Sequence, residues 1–299
     1  VRCVRSTLRK LFDRKKAGFR GPRPAQSPVT PDLSSVRLLV AEDNPVNQEI
    51  MSVLLEETRA QLKMAGNGIE ALALLEREAF DLMFLDIQMP DMDGYETIKI
   101  MRERGYVLPV VALTAHAMQS DKQRCLDAGM DAYLSKPFKQ ALLFDTIHSL
   151  LPEYYRVPEA QAESPARPSV PDAESWAFLP PCFSLETVIQ TGLSPQQYPS
   201  ILQSFARNHA QDAALFRHAV RTHDWESLRE RAHALKGASA NLGALHLRDM
   251  ARTLELEAQS QLDKGYPNPA LSTLQGRPLA ALLPELEEAL GEVLEAAAK

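Results

Sequence analysis

Between residues 36 and 151 short apolar runs alternate five times with helical patterns, and this alternation constrains the fold more than any other feature. The runs are 37–41, 61–65, 82–85, 108–113 and 132–134. Helical periodicity follows each: after Asn44-Pro45, then over 69–78, 94–104, 120–128 and 139–151. Proline suits a first helical turn because its missing N–H has no intrahelical partner there. Strands alternating with helices predict a parallel sheet covered on both faces, and continuously apolar strands fit burial on both sides. An α/β domain is therefore expected.

From Ser184 onward no strand pattern recurs. Helical periodicity covers 185–190, 195–221, 225–241, 245–261 and 279–298, which predicts an all-α bundle with short turns. Prolines cluster between these regions. Pro22, Pro24, Pro28 and Pro31 mark one linker, and six more within 153–182 mark another. The expected division is a basic segment and linker at 1–35, the α/β domain at 36–151, a linker at 152–183 and the helical domain at 184–299.

Residues 1–17 read as a basic amphipathic helix with Val1, Val4, Leu8, Leu11 and Phe12 on one stripe: a solvated extension, a remnant of a preceding domain or a membrane-surface contact. Nine of the 33 Lys and Arg lie in residues 1–24 beside one acid, so the rest of a chain of net charge −6 is more acidic still. That balance argues against nucleic acid as a partner. No apolar run approaches the roughly 18 residues a bilayer span needs. Cys3, Cys125 and Cys182 are too scattered for a disulfide framework or a metal motif, which fits a reducing, cytoplasmic setting.

In open parallel sheets ligands bind beyond the carboxyl ends of the strands. The residues at those ends are Glu42-Asp43, Asp86, Thr114 and Lys136. Three carboxylates repel one another unless a cation is present, and Mg²⁺ prefers such hard oxygen ligands. A hydroxyl and an ammonium opposite the metal could hold the oxygens of a phosphoryl group, since phosphoryl transfer asks mainly for positioning and charge neutralisation. Asp86, on the central strand, is the candidate nucleophile. Gly66-Asn67-Gly68 is read as a turn and not as a nucleotide site.

Residues 42–47 (Glu-Asp-Asn-Pro-Val-Asn), 86–94 (Asp-Ile-Gln-Met-Pro-Asp-Met-Asp-Gly), Leu113-Thr114-Ala115 and Ser135-Lys136-Pro137-Phe138 resemble the response-regulator receiver family in order and spacing. The resemblance implies a flavodoxin-like five-stranded parallel sheet of order 2-1-3-4-5. It also implies Glu42, Asp43 and Asp86 around Mg²⁺, with Asp86 accepting phosphate. Thr114 and Lys136 would contact the phosphoryl oxygens, Thr114 and Tyr133 would form a switch, and the Lys136–Pro137 bond would be cis.

In the helical half, His233 stands in His-Ala-Leu-Lys-Gly-Ala-Ser-Ala-Asn-Leu-Gly-Ala. On a helix Lys236, Gly237 and Ala240 share its face, while Leu228, Leu235 and Leu242 suit the core side. Mid-helix glycine costs about 1 kcal/mol relative to alanine, so Gly237 wants a reason. One is that a small residue lets another protein approach the imidazole closely. This stretch resembles the histidine-containing phosphotransfer (HPt) family, whose core pattern is His-x-x-Lys-Gly. The likeness implies that His233 is phosphorylated and that Lys236 and Gly237 shape the phosphate site. It also takes in the Asp224-Trp225 turn, whereas the segment 262–277 is longer than that family needs. The other six histidines are read as surface or packing residues.

A receiver followed by an HPt bundle implies a phosphorelay, with a histidine kinase upstream and a response regulator downstream. A linker of about 30 residues reaches roughly 30 Å if flexible, so transfer within one chain is plausible. The order resembles the C-terminal part of hybrid sensor histidine kinases, and a chain starting at Val1 is compatible with a piece of one, at the cytoplasmic end of a membrane-bound sensor. No ATP-binding kinase core is visible. An aspartate-nucleophile phosphatase is disfavoured because the first strand ends in Glu42-Asp43 without the D-x-D pattern of those enzymes. A phosphorylation-independent adaptor is the remaining alternative.

Overall fold

The computed structural model describes residues 30–114, 119–152, 173–264, 273–274 and 277–298. The basic helix expected over 1–17 lies outside the described residues.

The first half is built from β1 (Arg37–Ala41), α1 (Pro45–Glu56), β2 (Gln61–Ala65), α2 (Gly68–Arg77), β3 (Leu82–Asp86), α3 (Gly94–Glu103), β4 (Val110–Thr114), α4 (Gln119–Asp127), β5 (Ala132–Ser135) and α5 (Gln140–Leu150). All strand pairs are parallel and the order is β2-β1-β3-β4-β5. Every residue of β3 and β4 is buried, as continuous apolar runs covered on both faces require. Asn44, Asn67 and Asp93 cap α1, α2 and α3 by accepting N–H groups of the first turn. The segment 66–68 is thus a turn into a helix, as read from the sequence.

The sheet separates two apolar layers. One gathers Leu72, Leu75, Ile98, Met101 and Cys125 from α2, α3 and α4. The other gathers Val46, Ile50 and Leu54 of α1 with Leu143, Phe144 and Ile147 of α5, and continues without interruption into the second half of the molecule.

That second half is helical: α6 (Leu185–Thr191), α7 (Tyr198–His209), α8 (Asp212–Thr222), α9 (Trp225–Leu242), α10 (Leu245–Lys264) and α11 (Leu279–Ala297). Leu228, Leu235 and Leu242 are fully buried, as the helical spacing predicted. α9 and α10 form an antiparallel hairpin around Gly243, whose φ of 76° is the left-handed value that glycine adopts without strain. Part of 262–277 forms a minimal pair of strands, β6 (Thr273–Leu274) with β7 (Arg277–Pro278).

One expectation is corrected. The helical pattern read as continuous over 195–221 is two helices, parted at Ala210-Gln211. No glycine or proline marks the break. Across it the buried His209 Nδ1 lies 2.7 Å from Asp212 Oδ2, a pairing that holds the two helix ends together.

Candidate functional site

The sheet edge assembles the strand-end residues as anticipated. Glu42, Asp86, Thr114 and Lys136 are buried there, and Asp43 is half-buried. Ligand oxygens of Glu42, Asp43 and Asp86 lie within 4.8 Å of one another. The Lys136 ammonium sits 2.5 Å from Asp86 Oδ2 and 2.8 Å from Glu42 Oε2. Its backbone N–H donates to the Thr114 carbonyl at 2.8 Å, which ties β5 to β4 at this point. The Lys136–Pro137 bond is cis.

Burial raises the Glu42 carboxyl to about 8, and the Asp86 charge adds to this, against the opposing pull of Lys136. Asp43 is raised by burial and then by Asp86, with Lys136 and His233 opposing. Burial alone would lower Lys136, but the Asp86 and Glu42 carboxylates outweigh it and hold the ammonium charged. One cation therefore faces three carboxylates. Glu42 Oε2 is buried and receives no directed hydrogen bond, although Lys136 is near it. An uncompensated cluster of hard oxygens with an unfilled lone pair fits a divalent cation such as Mg²⁺.

On the helical side, His233 projects from the middle of α9. Its Nδ1 is 2.6 Å from Glu255 Oε1, and the other oxygen of Glu255 accepts from Lys236 Nζ at 2.6 Å. Burial would raise the Glu255 carboxyl, but the hydrogen bond from His233 and the charge of Lys236 hold it at about 2, so it stays ionised. An ionised carboxylate only accepts, so Nδ1 carries the hydrogen and the Nε2 lone pair is left for chemistry. The Lys236 ammonium, 3.2 Å from Nδ1, is then a neighbouring charge and not a donor to that nitrogen. Burial lowers Lys236, and Glu255 counteracts this.

The two sites meet. A cleft of about 700 Å³ is lined by Asp43, Asp86 and Thr114 from the sheet edge and by Arg229, Arg231 and His233 from α9. Glu42 and Lys136 lie behind Asp86, outside its lining. Tyr133 does not border the cleft either; the Lys122 ammonium lies 4.6 Å from the centre of its ring. Gly237 faces the α/β domain: a Cβ placed there would lie 3.4 Å from Asn47 Nδ2 of α1. The small residue thus admits a close neighbour, and that neighbour belongs to the same chain.

Sequence reasoning missed Glu255, Asn47 and Asn241. A signal for Glu255 was present. It and His233 are each eleven residues from Ala244, so an antiparallel hairpin turning there must set them side by side. Both asparagines lie within the motif stretches 42–47 and 233–244, but a neutral amide carries none of the phosphoryl-transfer chemistry for which those stretches were read.

Comparison with known proteins agrees with this geometry. Residues 38–148 match the response regulator receiver domain and residues 200–296 match the Hpt domain. The chain thus joins a response regulator receiver domain to an Hpt domain. Among individual proteins it is similar to the sensor histidine kinase GacS of Pseudomonas protegens, 30% identical over 303 residues, which takes in 97% of this chain and 30% of GacS. The sensor protein GacS of Pseudomonas syringae pv. syringae is 32% identical over 81% of the chain and 28% of its own length. The chain therefore spans less than a third of these relatives. Among solved structures, the receiver domain of the sensor histidine kinase PA1611 from Pseudomonas aeruginosa, which holds a magnesium ion in its active site cleft, is 37% identical over 39% of this chain and 98% of its own, with a TM-score of 0.37. No described helix is long and apolar enough to cross a membrane.

Proposed function

We propose that the chain passes a phosphoryl group between Asp86 and His233, with a histidine kinase as the source and a separate response regulator as the destination. The observation that carries this reading is the shared cleft, which Asp86 and His233 line from opposite domains.

In the first step an Asp86 carboxylate oxygen attacks the phosphorus of a donor phosphohistidine. The P–N bond breaks, an acyl phosphate forms, and the donor imidazole keeps the bonding pair. Glu42, Asp43 and Asp86 would hold Mg²⁺, which supplies charge neutralisation to the phosphoryl oxygens. The Lys136 ammonium, already against Asp86, would move to a phosphoryl oxygen, and the Thr114 hydroxyl would donate to another. In the second step the Nε2 lone pair of His233 attacks the same phosphorus and the P–O bond to Asp86 breaks, restoring the carboxylate. Glu255 keeps the Nδ1 proton in place and stabilises the charged ring. Lys236 balances the phosphoryl charge. Thr114 and Tyr133 would register the phosphorylated state as a switch.

The test uses purified chain, Mg²⁺ and a labelled small-molecule phosphodonor, with Asp86→Ala and His233→Gln beside wild type. Aspartyl phosphate is lost in alkali, whereas phosphohistidine survives alkali and is lost in acid. Alkali-stable label in wild type and in neither variant is the expected result. Absence of label from all three proteins would remove the phosphotransfer reading.

A further inference from the structure

Between the two domains runs a chain of buried side-chain amides that the phosphotransfer steps do not use. Asn47 Nδ2, on α1, donates to Glu42 Oε1 at 2.7 Å. Asn241 Nδ2, two turns beyond His233 on α9, donates to Asn47 Oδ1 at 2.7 Å. Asn241 Oδ1 in turn accepts the backbone N–H of Phe138 at 2.9 Å. Both asparagines are essentially without solvent exposure, at 1% and 0%. A parallel contact joins the Asn44 side chain to the Ala234 carbonyl at 2.9 Å, next to His233.

The direction of this chain is not free. The peptide N–H of Phe138 can only donate, so Asn241 turns its oxygen to Phe138 and its NH₂ to Asn47, which in turn presents its oxygen to Asn241 and its NH₂ to Glu42. Turning either asparagine over would set like groups against each other in a buried place, and an unsatisfied buried partner is costly. Asn241 thus reads two features of the sheet edge at once: the Asn47 amide, ten residues after the start of β1, and the N–H that follows Lys136-Pro137. Gly237 leaves room for the first of them. The apolar layer shared by α1 and the bundle includes Val46, next to Asn47 in the chain, and Leu242, next to Asn241.

We propose that Asn241 is the residue by which the bundle recognises receiver domains, selecting those that offer an asparagine at the place of Asn47. The chain's own receiver occupies that face here, so an outside receiver can approach His233 only after the internal one has left. The partner this surface fits is a second receiver with the same amide. The transfer part of the inference rests on the proposed role of His233; the docking part does not.

The test reads hydrogen exchange at the Phe138 amide in the full chain, together with single-turnover movement of label from Asp86 to His233. Wild type is compared with Asn241→Ala, Asn47→Ala and the double variant. Each single change is expected to speed Phe138 exchange and slow transfer by about tenfold. The double variant should lose less than the sum of the two single losses, because the bond between Asn47 and Asn241 is removed in both. The Leu235 amide, inside α9, reports whether the bundle is still folded, and Asn47→Ala probes the contact from the receiver side if Asn241→Ala does not fold. Unchanged Phe138 exchange, or effects that simply add, would overturn the proposal. If His233 never gains label in any protein the relay reading fails, while Phe138 exchange still decides the docking.

Discussion

Next to His233 the chemistry turns on a neighbour that no motif names. Glu255 takes the Nδ1 hydrogen with one oxygen and the Lys236 ammonium with the other. One carboxylate therefore sets the tautomer of the nucleophile and holds the cation that would face the phosphate. Replacing Glu255 with Ala should cut the rate of label appearance on His233 by 10- to 100-fold, the usual effect of losing a group that orients a functional imidazole. Glu255→Gln should cost less, since its amide oxygen still accepts from Nδ1. Rapid-quench labelling with an alkali-stability readout checks both. The same residue sets an acid limit. Its carboxyl is held at about 2 against an ordinary 4.5. A depressed carboxylate stabilises the fold above its unfolded value, and this contribution fades as pH drops from about 4.5 towards 2. It amounts to at most about 3 kcal/mol. Denaturant titrations at pH 5 and pH 3 should show wild type losing more stability than Glu255→Gln.

At the scale of elements, the α9–α10 hairpin does for the helical site what the strand ends do for the acidic one. Its register depends on Gly243, whose φ is 76° and where a Cβ would lie 3.0 Å from the Ser184 carbonyl oxygen and 3.1 Å from Val188 Cγ2. Gly243→Ala combines backbone strain with crowding, at a cost of about 1–3 kcal/mol. A lower Tm is expected with a slower His233 reaction, because a shifted turn moves Glu255 relative to the imidazole. An unchanged Tm in a calorimetric scan would contradict this. Helix α1 has a different duty. Val46, Asn47, Ile50, Met51, Leu54 and Leu55 are all buried, more than one face of a helix needs to cover a sheet. The excess is the face turned to the bundle, which explains why a receiver helix carries apolar side chains on two sides.

Across the whole molecule, the acidic cluster couples stability to pH and to divalent cations. Glu42 is raised to about 8 and Asp43 is raised as well. A raised carboxyl stabilises the fold fully below its unfolded value, and that contribution is lost as pH climbs through the folded one. Without divalent cation, Tm should therefore fall between pH 5 and pH 8. Millimolar Mg²⁺ should restore most of the loss at pH 8 and change little at pH 5, and Glu42→Gln should flatten the profile. A Tm in wild type that is flat in both pH and Mg²⁺ would show that the cluster is not strained in this way. This window lies above that of Glu255, so the two effects separate in one pH series.

The sequence by itself determined the α/β and all-α halves, because hydrophobic periodicity records which faces each element must bury. It also determined the acidic and basic residues of the sheet edge, because strand ends converge in any parallel sheet. It did not show the break at Ala210-Gln211, which carries no glycine or proline and rests on the buried pairing of His209 with Asp212. Nor did it single out Glu255, which lies 22 residues from its partner on another helix. Only the tertiary structure decided that Asp86 and His233 line one cleft and that Asn47 meets Asn241, residues 194 positions apart. The physical reason is that a local pattern encodes how a segment is buried but not what buries it, whereas docking and hydrogen-bond direction are properties of two surfaces brought together.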